Sequence, residues 1–290
     1  MIREPLTRTV FGHSFQNPIL LAAGTAGFGR ELVGVVALDR LGGIVTKAVS
    51  LLPRGGNPPP RVAEFPGGML NSVGLANPGL ERVRADHLPW LAARLKRARI
   101  IVNVVGFAES EYAEVIAGLE ACEGIAGYEL NLSCPNTRAG GVEFGAAPEL
   151  TRRVVAGCRA VTRRALIAKL SPALPDIPLL AQAAADGGAD GITVVNTIPG
   201  FLYAGTGPRL GQGNGGVSGP ALLPVGLQAV RAVRERLPGL AVIGVGGVRS
   251  AADVGQYLQA GAVLVGIGTA HLADPRLPER IVRELEAGHG

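Results

Sequence analysis

Of the 28 lysines and arginines in the chain, three are lysines: Lys47, Lys96 and Lys169. Two of them close apolar runs, Ile44-Val-Thr-Lys47 and Leu166-Ile-Ala-Lys169. An ammonium at the end of an apolar strand must reach an anion, an electron-rich ring or solvent, because burying it unpaired is costly. One such lysine reads as a side chain snorkelling to water. Two, with Asn103, Asn131 and Asn196 ending further apolar runs, favour a ligand site. An amide side chain offers donors and an acceptor together, so a ring of them suits a small planar ligand with alternating C=O and N–H groups. Singly, each Asn is equally a turn former.

Cys134 stands three residues beyond Asn131, in Asn131-Leu-Ser-Cys-Pro-Asn136. A loop cysteine over such a site is a candidate nucleophile or general base. Cys122 and Cys158 fall in helical patterns and read as buried and inert. Three cysteines without a CxxC argue against a disulfide framework or a structural zinc site. His13, His87, His271 and His289 are scattered, and no carboxylate pair or metal-ligand cluster is in view, so no metal is expected. Gly244-Val-Gly246-Gly247 and Gly266-Ile-Gly268-Thr269 offer backbone amides beside helix starts, a phosphate-binding arrangement after late strands. Close packing of helix on strand is the competing reading of those glycines.

The elements that must position these residues are regular. Eight continuous apolar runs, Ile19–Ala23, Ile44–Lys47, Ile100–Val104, Gly127–Leu132, Leu166–Leu170, Ile192–Asn196, Ala241–Val245 and Val263–Ile267, read as strands buried on both faces. Helical patterns lie between them: Gly79–Ala98, Ser110–Ala121, Pro148–Arg164, Pro178–Asp186, Pro220–Arg236, Ala251–Ala260 and Pro278–Ala287. Ser250-Ala-Ala-Asp253 is a helix-start signal. The alternation predicts an α/β fold, a (β/α)8 TIM barrel, with rim insertions after strands 2 and 6. Those insertions are Ser50–Pro78 and Thr197–Gly219, and a hairpin over Thr7–Phe15 would cap the barrel bottom. An open doubly wound sheet is the alternative, but the early GxGxxG it predicts is missing. One domain, residues 1–290, is expected.

Composition narrows the partners. The chain is 47% hydrophobic and 18% charged, which excludes a disordered protein. Its net charge is +5. The densest basic stretches, Arg94–Arg99 and Arg152–Arg164, read as solvated helix faces, so no nucleic acid is expected. No apolar run reaches membrane-spanning length, and Met1–Phe15 lacks the apolar core of a signal peptide. A cytoplasmic protein is the expectation.

Several longer motifs carry a family resemblance: Gly43-Ile-Val-Thr-Lys47, the run Pro60–Pro78, Glu129-Leu-Asn-Leu-Ser-Cys-Pro-Asn136, Ala168-Lys-Leu-Ser-Pro172, Val195-Asn-Thr197, Gly213-Asn-Gly-Gly-Val-Ser-Gly-Pro220 and Gly244-Val-Gly-Gly247. In this order they resemble the class 1 dihydroorotate dehydrogenases, most closely the class 1B catalytic subunit. The resemblance implies bound FMN and oxidation of dihydroorotate to orotate in pyrimidine synthesis. It makes Cys134 the base, where class 2 relatives use serine and add a membrane-associated N-terminal segment. It places substrate on Lys47, Asn71, Ser72, Val73, Gly74, Leu75, Asn131, Asn196 and Thr197. It places the flavin on Ala23, Lys47, Ala48, Asn103, Asn131, Lys169, Val195, Gly219, Gly246, Gly247, Gly268 and Thr269. Ala23 departs from the serine often found in relatives, which removes a hydroxyl contact. The resemblance implies a homodimer of this chain, and for class 1B electrons passed to NAD⁺ through a second subunit carrying FAD and an iron–sulfur cluster, in a heterotetramer; class 1A relatives are homodimers that use fumarate. A dihydrouracil-type dehydrogenase, a flavin-free barrel isomerase or synthase acting on a phosphorylated substrate, and a non-catalytic binding protein are the alternatives.

Overall fold

The computed structural model describes residues 6–132, 135–136, 142–174 and 176–288. Eight parallel strands close a barrel in sequence order: β1 Ile19–Leu21, β2 Gly43–Val45, β3 Arg99–Val104, β4 Ile125–Asn131, β5 Ala165–Leu170, β6 Gly191–Val194, β7 Ala241–Val245 and β8 Leu264–Ile267. Closure is made by β8 on β1, with Val265 opposite Ile19. All eight expected strands are present.

Their apolar continuity has two causes. Outward residues such as Ile100, Val102 and Val104 share a core with the surrounding helices. Helix Glu109–Leu119 buries Tyr112, Val115, Ile116 and Leu119, the spacing of one helical face. Inward residues Leu20, Val45, Ile101, Ile167, Ile243 and Leu264 form a second cluster with Phe15, inside the barrel. Phe15 belongs to the expected hairpin, Arg8–Val10 with His13–Phe15. Its two-residue turn has positive φ at Phe11 (57°) and Gly12 (73°), the conformation that matches strand twist. Phe11 also plugs the floor. A Cβ on Gly191 would lie 2.7 Å from the Phe11 ring, so that strand position must stay bare.

The two insertions do not form separate flaps. Strands Val62–Phe65, Gly68–Asn71, Gly215–Ser218 and Ile198–Gly200 pair antiparallel in one four-stranded sheet, with Asn71 opposite Gly216. Ala63, Leu70 and Leu210 give this sheet its own small core.

Some boundaries differ from expectation. The helix read as Gly79–Ala98 runs as Leu80–Arg82, a π-helical Val83–His87 and Leu88–Arg94. It stops at Arg94 because Asp39 Oδ1 accepts the amides of Lys96, Arg97 and Ala98 at 2.8, 2.8 and 3.0 Å, folding that stretch into a turn. The basic run Arg94–Arg99 is therefore not a helix face. Arg152–Arg164 is helical only to Val161, where Thr162 turns extended. Cys122 lies beyond the helix end and is half-buried, whereas Cys158 is fully buried in its helix. The Ser250 signal holds: its Oγ accepts the Asp253 amide at 3.2 Å.

Candidate active site

The C-terminal ends of β3 to β6 place five polar side chains in register. Asn103 lies opposite Glu129, and Lys169 lies opposite both Asn131 and Thr193. Alternation along a strand puts residues two apart on one face. Asn103 therefore sits above Ile101, and Lys169 above Ile167, facing inward over the apolar floor. Glu129 is the hub. Its Oε1 accepts from Asn103 Nδ2 at 2.8 Å, its Oε2 accepts from Thr193 Oγ1 at 2.7 Å, and Lys169 Nζ lies 3.7 Å from Oε1. Glu129 is 1% exposed and Lys169 7%.

A second amide pair closes the same side. Asn196 Nδ2 reaches Asn131 Oδ1 at 3.5 Å, the Thr197 amide donates to Asn196 Oδ1, and Tyr112 donates its hydroxyl to the Asn131 carbonyl. Val195 and Asn196 are anchored through their amides to Val245 and Leu170. On the β2 side, Lys47 is fixed by its amide to the Gly27 carbonyl. Ala48 packs with Val105, Leu75 and Phe107, which brings the end of the Asn71–Leu75 segment against the rim. That segment is braced: Asn71 Nδ2 donates to Gly216 O, Asn57 Nδ2 to Ser72 Oγ, and the Asn57 amide to Val73 O. Leu75 and Gly74 take positive φ, and Asn77 Nδ2 holds the Leu75 carbonyl at 2.8 Å. Ala23 packs against the apolar floor cluster.

Across the mouth lie the loops after β7 and β8, which carry the glycines expected to cradle a phosphate. Gly246 and Gly247 have φ of 126° and 73°, which side-chain-bearing residues avoid. Tyr257, fully buried, donates its hydroxyl to the Gly246 carbonyl at 2.8 Å. Gly219, at φ 131°, lies just before the helix Leu222–Arg236, and a Cβ on Gly246 would be 3.3 Å from Leu222. Thr269 Oγ1 donates to Ser218 Oγ at 2.6 Å, tying the insertion sheet to the β8 loop. The amides of Gly246, Gly247, Gly268 and Thr269 donate to no acceptor among the described residues. A donor set with no protein acceptor fits an anionic group such as a phosphate.

The structure thus gathers the expected rim residues into one mouth, with Cys134 lying outside the described residues. Besides Thr193, the contributors Glu129, Tyr257 and Ser218 escaped the sequence reading. Glu129 had a signal, being the one charge inside the run Gly127–Leu132 and two residues before Asn131. The other two had none, since a helix tyrosine reads as core and a loop serine as a turn. The remaining described cysteines are unsuited to chemistry: burial pushes the Cys158 thiol up to about 12 and also raises Cys122. His271, buried just after the β8 loop, has its value lowered by burial. Among the described residues no group of His, Cys, Asp and Glu could hold a metal, and no helix is long and apolar enough to cross a membrane.

A closed (β/α)8 barrel with its chemistry-bearing side chains at the C-terminal mouth is the architecture of a barrel enzyme. The chain belongs to the dihydroorotate dehydrogenase family, whose family model matches residues 5–288. It is 42% identical over 287 residues to the dihydroorotate dehydrogenase B (NAD(+)) catalytic subunit of Pelobacter propionicus, covering 98% of this chain and 93% of that one. It is 43% identical to the protein of the same description from Cutibacterium acnes, covering 95% and 90%. A putative dihydroorotate dehydrogenase A (fumarate) of Solibacter usitatus is 45% identical, covering 97% and 92%. The resemblance read from the motifs is therefore a family relationship along nearly the whole chain.

Proposed function

We propose that this single-domain chain oxidises dihydroorotate to orotate with FMN at the barrel mouth, as the catalytic subunit of a cytoplasmic enzyme that delivers its electrons to NAD⁺. The observation that carries this reading is the division of the mouth. One side holds lysine and amide side chains that match a planar ring, and the other holds backbone amides that match a phosphate. FMN has both parts, and the residues that would hold it are Ala23, Lys47, Ala48, Asn103, Asn131, Lys169, Val195, Gly219, Gly246, Gly247, Gly268 and Thr269.

The reaction removes a proton from C5 and a hydride from C6 of the substrate. Bound FMN supplies the two-electron acceptor. Cys134, as thiolate, takes the C5 proton; a free thiol deprotonates near about 8.5, so the step quickens as pH rises toward that value. Asn71, Asn131, Asn196 and Thr197 orient the ring through its C=O and N–H groups, with Ser72 to Leu75 along its edge. Lys47 offers its charge to the substrate carboxylate. Lys169 offers its ammonium to the negative charge of the reduced cofactor.

The relatives named as B subunits support NAD⁺ as acceptor through a partner carrying FAD and an iron–sulfur cluster, joined to a dimer of this chain. The relative named for fumarate supports the second reading. Anaerobic reduction of the FMN-loaded protein by dihydroorotate, followed by NAD⁺, fumarate or a quinone, tests both. Bleaching of the flavin by dihydroorotate, with reoxidation by NAD⁺ only when the partner is present, is expected. A protein that cannot be loaded with FMN, or is reduced equally by dihydrouracil, overturns the assignment.

A further inference from the structure

Glu129 is the buried carboxylate that the chemistry above does not use. Removing a carboxylate from water is expensive, and it is tolerated only where charge and hydrogen bonds compensate. Here two neutral donors, Asn103 and Thr193, hold its two oxygens, and among the described residues the cation paired with it is Lys169. The ammonium is not locked onto the carboxylate. At 3.7 Å it is beyond hydrogen-bond length, and Nζ donates to no described residue. A lysine that served only to neutralise Glu129 would spend its protons on it. Asn103 is oriented by the same carboxylate: one Nδ2 proton goes to Glu129, which fixes the direction in which its Oδ1 acceptor faces.

We propose that Glu129 is a positioning residue that sets both the place of the Lys169 ammonium and its effective charge toward the cofactor, while turning the Asn103 acceptor to the mouth. This rests on the FMN reading of the site. The Glu129 carboxylate acts on the flavin through Lys169: in the low dielectric at this depth it offsets part of the ammonium's charge and limits its approach to the cofactor, and so moderates the help that Lys169 gives to added electrons. The pair therefore tunes how readily the bound flavin is reduced.

Substrate-free protein tests this through cofactor affinity and potential instead of turnover. Wild type, Glu129→Gln, Lys169→Met and the double variant are loaded with FMN, and the dissociation constant and two-electron midpoint potential are measured at pH 7. Glu129→Gln is expected to shift the reduction equilibrium at least tenfold toward the reduced flavin, about 30 mV upward for a two-electron couple. The shift should vanish in the Lys169→Met background, which a merely structural role of Glu129 would not produce. An unchanged potential in Glu129→Gln, or the same shift with and without Lys169, overturns the proposal. Wild type that binds no FMN overturns the cofactor reading, and this proposal with it; that outcome is visible before any variant is made. Should Glu129→Gln fail to fold, Glu129→Asp retains the charge one methylene further back. It should give a smaller upward shift with the same dependence on Lys169, and no shift counts against the proposal.

Discussion

The floor and the mouth of the barrel are built from the same strands and do opposite things. On β3, Ile101 seals the floor and Asn103, two residues on, faces the mouth; on β5, Ile167 and Lys169 divide in the same way. The floor packs Leu20, Val45, Ile101, Ile167, Ile243 and Leu264 against the hairpin residues Val10, Phe11 and Phe15. The mouth holds a carboxylate, an ammonium, an amide and a hydroxyl within hydrogen-bond or ion-pair reach. One step of strand periodicity therefore separates residues that pay for stability from residues that spend it on chemistry.

That contrast can be broken or sharpened by substitution. The largest expected effect is at the mouth: Cys134→Ser should slow flavin reduction by dihydroorotate by about 10²–10⁴-fold. Orotate affinity and the unfolding midpoint should stay near wild type. A large stability loss in this variant would break the contrast. At the floor, Phe15→Ala should cost about 3–5 kcal/mol in urea unfolding, with FMN affinity of the folded protein retained. Loss of FMN binding there would show that floor and mouth are one cooperative unit.

A pH titration probes both ends at once. Burial lowers the values of His13 at the floor hairpin and His271 beside the mouth. The unfolded chain takes up these protons near about pH 6.5, before the folded chain does. The unfolded state thus binds more protons as pH falls, so stability is full above that value and declines below it. Urea midpoints from pH 8 to 5 should show the decline. His271→Gln should flatten it more than His13→Gln, since His271 is the more buried. The smallest effect is Tyr257→Phe, which removes the bond to the Gly246 carbonyl. A loss of about 1 kcal/mol should appear as a severalfold weaker FMN affinity, with kcat unchanged.

The barrel was legible because buried parallel strands write themselves as unbroken apolar runs, and the rim because polar residues such as Lys47, Asn103 and Lys169 end those runs. Glu129 was overlooked because a single charge inside a run conveys nothing of its partners, which come from β3, β5 and β6. Tyr257 was hidden by the ambiguity of an aromatic on a helix. The helix end at Arg94 depends on Asp39, far back in the chain, and so has no local cue. The joining of the insertions was illegible for a similar reason. Gly68–Asn71 and Gly215–Ser218 are short, glycine-bearing strands whose pairing carries no periodic signature.

That pairing also has a consequence in time. Asn71 and its partner Gly216 are 145 residues apart. At a synthesis rate of about 5–20 residues per second, the Gly68–Asn71 edge emerges roughly 7–30 s before its mate exists. During that interval it is an unpaired strand edge of the kind that recruits foreign strands. Arg61, just before the outer strand of the same hairpin, and Glu64, within it, supply charge there while the nascent chain waits for its second half.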